Sequence, residues 1–149
     1  KGIPGAKEGD IVEYVAGVNG GWRFKRSCET RSAIFTYVAT LERVVDADTL
    51  AVVIDAGFNN TVRQKLRFRH LNAPEIKTSE GKLARDFVVK ELSTVKFFVI
   101  KTYGYEKYDR TLTDLFYLPG ETDPEIVAAK GVLLNQRLFD AGLAVTYQG

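Results

Sequence analysis

Residues 34–71 read IFTYVATLERVVDADTLAVVIDAGFNNTVRQKLRFRHL, and this stretch decides the fold. Three segments within it, 34–45, 50–56 and 61–71, are rich in β-branched and apolar residues, the composition of half-buried strands. Asp46-Ala47-Asp48 and Gly57-Phe58-Asn59-Asn60 separate them and read as turns. Three consecutive strands joined by tight turns form an antiparallel meander. The strands come in a run and the helices follow, which points to an α+β domain and not to a parallel α/β sheet.

Working outward, residues 79–93 read as a helix. Leu83, Ala84, Phe87, Val88 and Leu92 form a stripe near a 3.6-residue period, with Lys82, Arg85, Asp86 and Lys90 opposite. Thr78 or Ser79 is its N-cap candidate. Residues 95–102 and 112–118 read as two further strands. Thr122-Asp123-Pro124-Glu125 is a helix start, with a capping side chain, a proline in the first turn and an acid near the positive helix end. That helix runs to about Asp140, with a break foreseen at Gly131 and a stop at Gly142. Residues 143–147 read as a last short strand or extended tail. Five strands with helices packed on them suit a small barrel. Ahead of it, residues 1–10 read as a loose arm. Residues 11–25, with Asn19-Gly20-Gly21 in the middle, read as a hairpin. Trp22 and Phe24 share one face of its second strand and are read as packing for the hairpin. The domain division is therefore 1–33, arm and hairpin extension, and 34–149, the barrel.

The 149-residue chain is 45% hydrophobic and 27% charged, enough apolar surface to bury a core. Its single cysteine, Cys28, excludes an internal disulfide framework and a cysteine-rich zinc site. Its single histidine, His70, excludes a site that needs two histidines from one chain. No run of apolar residues is long enough for a membrane helix. No signal peptide is visible, and the lack of methionine reads as a processed form or a piece of a longer chain. A net charge of +2 excludes a histone-like polycation. The charge is uneven, however. Residues 62–110 carry 12 basic and six acidic groups, while 34–61 and 111–149 carry −3 each. A basic region inside a balanced protein fits a polyanion partner.

Three segments carry candidate chemistry. Asp46-Ala47-Asp48-Thr49 places two carboxylates at one turn, where they can face a hard cation. Leu66 to Glu75 reads LRFRHLNAPE. Its alternation puts Arg67 and Arg69 on one face and Leu66, Phe68 and His70 on the other. His70 is read as a half-buried, hydrogen-bonded strand residue. Pro74 ends the strand, so Glu75 is presented just beyond it. A phosphodiesterase needs such parts: positive charge on the phosphate, a guanidinium on its oxygens and a carboxylate for the water. Tyr105-Glu106-Lys107-Tyr108-Asp109-Arg110 adds a loop in which aromatic and basic residues alternate, a mixture that stacks on bases and contacts phosphates.

Taken in order, these segments resemble the staphylococcal-nuclease-like (thermonuclease) family. The resemblance runs from Val44-Val45-Asp46-Ala47-Asp48-Thr49 through Asp55-Ala56-Gly57-Phe58 to Leu66-Arg67 and Asn72-Ala73-Pro74-Glu75. It continues at Lys107-Tyr108-Asp109-Arg110, Leu134-Asn135 and Ala141-Gly142-Leu143-Ala144, and covers about residues 36–147. It implies a five-stranded OB-type β-barrel with three helices. It also implies a calcium-dependent nuclease that hydrolyses DNA, RNA or both at the P–O5′ bond, leaving a 3′-phosphate and a 5′-hydroxyl. Asp48 then matches a metal ligand, Asn72 a second ligand position usually held by aspartate, Ala73 a ligand through its backbone carbonyl, and Asp46 a nearby carboxylate. Glu75 matches the residue that orients or activates water, and Arg67 and Arg110 match the phosphate clamp. Lys107 and Tyr108 match contacts to a terminal phosphate of a bound nucleotide.

Two departures stand out. Asn72 brings an amide oxygen but no charge, which weakens a hard-cation site. Ala47 and Asp109 stand where the family usually has glycine, and alanine would be strained if positive φ were required. The competing expectation is a non-catalytic module of the same fold that binds nucleic acid or a protein. The chain is read as a monomer or as part of a larger chain.

Overall fold

A computed structural model of the chain describes residues 3–17, 19–29 and 33–147. The chain divides into two compact units, Lys1–Phe35 and Thr36–Gly149. In the first, β1 (Val12–Ala16) and β2 (Trp22–Arg26) pair antiparallel, with Ala16 opposite Trp22 and Val12 opposite Arg26. The Asn19-Gly20-Gly21 turn joins them, and Gly20 supplies a φ of +75°. Trp22 and Phe24 lie on one face, each more than half exposed. A short 3₁₀ turn, Ala33–Phe35, follows.

The second unit is an α+β OB-type barrel. Its meander is β3 (Thr36–Asp46), β4 (Thr49–Gly57) and β5 (Asn60–Phe68). After a two-residue strand β6 (Leu71–Asn72) come α1 (Ser79–Leu92), β7 (Phe98–Glu106) and β8 (Arg110–Tyr117). The chain ends with α2 (Pro124–Lys130), β9 (Val132–Leu133), α3 (Leu134–Asp140) and β10 (Val145–Thr146). The long strands follow the order β5-β4-β3-β7-β8, and β5 closes the barrel by pairing with β8. Closure is parallel, with Leu66, Arg67 and Phe68 opposite Thr111, Leu112 and Thr113. The meander signal correctly implied antiparallel neighbours but did not contain this parallel seam, which joins segments far apart in sequence. β9 pairs with the end of β8 on the edge opposite β7, beyond the stretch that pairs with β5, and β10 pairs with β6.

The core is the inward set Leu50, Val52, Leu66, Phe68, Phe98, Ile100 and Leu115, closed by Leu134 and Leu138 of α3. α1 buries Gly81, Ala84, Val88 and Leu92, a 3-4-4 spacing that keeps one narrow stripe on the barrel. Leu83, expected in that stripe, is 64% exposed, because the stripe is too narrow to reach it. Thr78 caps α1, its hydroxyl accepting from Gly81 N–H at 2.9 Å. Asp123 caps α2 in the same way, accepting from Glu125 N–H, with Pro124 in the first turn. The break foreseen at Gly131 is real. A Cβ there would run into the Val127 carbonyl and the Phe116 side chain, so glycine lets the chain turn against β8 and form β9.

Candidate functional site

The Asp46–Thr49 turn, the end of β5 and the segment that follows β6 meet at one end of the barrel. Asp46 and Thr49 pair across the β3–β4 turn, which leaves Ala47 and Asp48 as its two central residues. Both are buried. The Asp48 carbonyl accepts from Phe68 N–H at 2.9 Å, so the turn is tied to β5. The Asp48 carboxylate is only 4% exposed and draws three donors. Ala73 N–H gives a 2.7 Å hydrogen bond to Oδ2, the Thr49 hydroxyl donates to Oδ1 at 3.0 Å, and Arg67 Nη1 forms an ion pair with Oδ2. A buried carboxylate needs such a set, since an unpaired one would be costly to desolvate.

Arg67 is 8% exposed and completes the cluster from the other side. Register puts it opposite Thr49 on β4 and Leu112 on β8. Its Nη2 donates to Asn72 Oδ1 at 2.8 Å. The guanidinium therefore sits between a carboxylate oxygen and an amide oxygen, both aimed at one positive centre. Of the residues singled out from sequence, Asp48, Arg67, Asn72 and Ala73 are thus brought into direct contact. Asp46 is half-buried at the end of β3, beside them in the chain.

Glu75 is exposed beyond Pro74. Its backbone carbonyl accepts from both the N–H and the hydroxyl of Thr78, at 2.9 and 2.8 Å. Gly81 is the residue that sequence reading missed here. A Cβ at Gly81 would collide with the Glu75 and Pro74 carbonyls, so only glycine lets α1 press against the segment that carries Glu75. The available signal was a glycine in the first turn of a helix, where nothing in the helix itself asks for one.

Arg110 begins β8, next to the residue paired with Leu66 of β5. Its Nη2 lies 2.7 Å from the Glu106 carboxylate, and its guanidinium carbon is 5.4 Å from the Tyr108 ring centre. Its Nε is shielded from solvent and has no hydrogen-bond partner among the described residues. Lys107 and Tyr108 are exposed in the β7–β8 turn. Asp109 in this turn has φ +57°, so one of the two glycine-like positions does require a left-handed residue. Ala47 does not, because the described non-glycine residues with positive φ are Phe58, Asn59, His70 and Asp109. The strain foreseen at Ala47 is absent.

Two neighbours take other roles. His70 is exposed in the turn after β5, with φ +62°, and is not the half-buried strand residue expected, because β5 ends at Phe68. Arg69 turns away from the site. Its Nη2 is 3.1 Å from Asp114 Oδ2, and its guanidinium stacks 3.6 Å over the Tyr103 ring. Tyr103 hydroxyl donates to the same Asp114 at 2.8 Å, and Asn135 Nδ2 donates to its other oxygen at 3.2 Å. Asn135 also holds the Thr113 carbonyl and Leu115 N–H, so this buried amide fixes α3 to β8.

The oxygens that converge on Arg67 are hard ones, the Asp48 carboxylate and the Asn72 amide oxygen, with Asp46 beside them in the chain; Ala73 meets Asp48 through its N–H. That chemistry suits a calcium-like ion of modest affinity. Among the described residues no three His, Cys, Asp or Glu side chains gather as a metal group. A cation would thus meet a single buried carboxylate whose positive partner is already Arg67, and would have to replace it. Compared with known proteins, the chain matches no protein-family model and none of the curated proteins.

Proposed function

We propose that the barrel is a nuclease of the staphylococcal type, hydrolysing DNA or RNA with the help of a calcium-like divalent cation. The observation that carries the reading is the Arg67 guanidinium held between Asp48 and Asn72, two oxygen donors that converge on one positive charge. A cation held by Asp48, Asn72 and the Ala73 carbonyl would supply positive charge against the scissile phosphate. With a cation there as counter-ion to Asp48, Arg67 would be available to pair with the phosphate oxygens, for which its planar fork is suited. Arg110, with an Nε donor to spare, binds the same phosphate from β8. Glu75 orients water and accepts its proton as the water oxygen bonds to phosphorus, and both guanidiniums stabilise the charge that builds on the non-bridging phosphate oxygens. The P–O5′ bond breaks and the 5′-oxygen takes a proton from solvent. Lys107 and Tyr108 contact the nucleotide on the open side of the turn.

Incubation with plasmid and with structured RNA tests this directly. Cleavage that calcium supports, chelator abolishes and Glu75→Gln removes is the expected result. No chelator-sensitive cleavage by folded protein with any of several divalent ions would sink it.

A second reading rests on the completeness of the Asp48 set, where both oxygens already have donors. In that reading Arg67 is a permanent counter-ion and the barrel binds nucleic acid or a protein without turning it over. Oligonucleotide binding that calcium does not alter, with no products, is its signature.

A further inference from the structure

A groove of about 500 Å³ runs over the outer face of the meander, lined by residues other than those of the Asp48 cluster. Arg43 and Glu42 of β3 form one wall, Arg63 and Lys65 of β5 the other, and Asp109 closes one end. The floor is Ala51 of β4, which pairs with Arg43 on one side and with Lys65 on the other. A small, buried floor residue leaves an open channel between a β3 wall that carries Arg43 beside Glu42 and a basic β5 wall. Neighbouring strands lie about 4.8 Å apart, so the walls are roughly 10 Å apart. That width seats one phosphodiester backbone and is too narrow for a duplex.

Along β5 the outward side chains Arg63, Lys65 and Arg67 alternate on one face, about 6.7 Å from one to the next. This step is comparable with the phosphate repeat of an extended single strand. The ladder ends at Arg67, and the groove ends at Asp109, the neighbour of Arg110. Arg63 is paired with Glu42 at 3.0 Å. Arg43 and Lys65 are exposed and have no ion-pair partner among the described residues. Nothing in the packing needs these two charges, and both face the channel. Tyr105 and Tyr108, each about three-quarters exposed, stand in and beside the β7–β8 turn as stacking surfaces.

We infer that this groove is an extended subsite for single-stranded nucleic acid, seating the phosphates that flank the one held by Arg67 and Arg110. The inference rests on the reading of that end of the barrel as a phosphodiester site. Charge complementarity calls for a polyanion, and the spacing along β5 with the continuity to Arg67 and Arg110 favours a nucleic-acid strand over an acidic peptide.

The test is binding by the full chain, in chelator, of fluorescent single strands of about four and about twelve nucleotides, a duplex of the longer length and poly-glutamate, and, with calcium present, of a nucleoside 3′,5′-bisphosphate. Wild type is compared with Arg43→Glu/Lys65→Glu and with the milder Arg43→Gln/Lys65→Gln. Both positions are exposed, and unchanged thermal unfolding checks the fold. The charge-reversed variant is expected to bind the longer single strand about tenfold more weakly or worse, and the neutral variant to lie between. The salt slope of the neutral variant should fall by about 1.4, the value for two lost phosphate contacts on a single strand. Bisphosphate affinity should not change.

Equal binding of the longer strand by all three proteins overturns the inference. So does a duplex bound more tightly than the single strand with the same sensitivity to the variants, or poly-glutamate bound as well as the strand. If bisphosphate fails to bind while the strand still depends on Arg43 and Lys65, the subsite stands and the phosphodiester reading of the Arg67 end fails. If bisphosphate binds and the variants change nothing, the subsite alone fails.

Discussion

Arg67 and Arg69 stand two positions apart on one face of the chain, and each pairs with an aspartate that has two other donors. Asp48 is held by Arg67, a backbone N–H and a threonine hydroxyl. Asp114 is held by Arg69, a tyrosine hydroxyl and an asparagine amide. The difference lies in what surrounds the guanidinium. Arg69 is stacked on the Tyr103 ring, inside a frame that also fixes α3 to β8. Arg67 faces oxygens, the Asp48 carboxylate and the Asn72 amide. An aromatic face holds a flat guanidinium, whereas a pair of oxygens will hold any cation. The first arrangement fixes its arginine by stacking as well as by charge, whereas the second holds its arginine through oxygens, the side proposed above to take a cation.

Replacing each arginine gives the sharpest test. Arg67→Ala leaves Asp48 buried and unpaired, at a cost of about 3–5 kcal/mol in urea unfolding. It should also reduce nucleic-acid cleavage by at least ~10²-fold. Arg69→Ala should cost about 1–2 kcal/mol, because Asp114 is less deeply buried than Asp48, and cleavage should stay within a few fold. Equal losses of cleavage in the two variants would erase the distinction. Gly81→Ala comes next. It should lower stability by about 1–3 kcal/mol and, by moving the Glu75 segment by about an ångström, lower kcat by ~10²-fold with little change in KM. A variant with wild-type kcat would show that Glu75 does not depend on its contact with α1.

Asn72→Asp restores a second carboxylate on the exchangeable side. Calcium should bind about tenfold more tightly, measured by titration calorimetry. The same change placed on the Arg69 side, Asn135→Asp, should yield no calcium site and should destabilise the barrel. If Asn72→Asp leaves calcium binding unaltered, Asp48 and Asn72 do not share a cation.

A third acid cluster, Glu91 with Tyr117 and Arg137, serves as a purely structural reference. Burial, more than the Glu91 bond, pushes the Tyr117 hydroxyl up to about 12. The folded chain therefore keeps a proton that the unfolded chain loses from about pH 10. Stability from this source is complete below pH ~10 and drains as pH rises through about 12. Glu91 acts at the other end. The Tyr117 hydroxyl holds its carboxyl below the usual value, so its contribution is complete above the ordinary carboxylate range and fades as pH falls through the lowered value. Tyr117→Phe should flatten the alkaline limb of a Tm–pH profile, with a change of about 1 kcal/mol at neutral pH and no effect on cleavage. The smallest effect is at Asp109. Glycine at its φ of +57° should add roughly 0.5–1 kcal/mol, with Arg110 chemistry intact.

Strand and helix identities were legible because hydrophobic period, turn residues and caps agree locally. The three-strand meander, the Thr78 cap of α1 and the Asp123-Pro124 start of α2 were all visible in this way. The parallel β5–β8 seam was not, since no local pattern says which distant strands will meet. The Asp48–Arg67–Asn72–Ala73 grouping was legible as a set of residue types, but the direction of each side chain was not. Alternation put Arg67 and Arg69 on one face and was silent on their opposite fates. His70 was misjudged because the chain leaves β5 one turn earlier than its apolar pattern implied. Gly81 was overlooked because its purpose is a neighbour's carbonyl and not its own helix.

The parallel seam bears on how the protein reaches its native state. Arg67 lies on one side of that seam and Arg110 one residue before the other. The pairing joins segments separated by β6, α1 and β7, so its loop must close before any of its hydrogen bonds are gained. The local β3–β4–β5 meander and the β7–β8 hairpin have much shorter loops to close. Closure of the seam that brings the ends carrying Arg67 and Arg110 together is therefore expected to be the last step of barrel formation. In refolding experiments, ligand binding at this end should appear with the final kinetic phase, after most strand signal has returned.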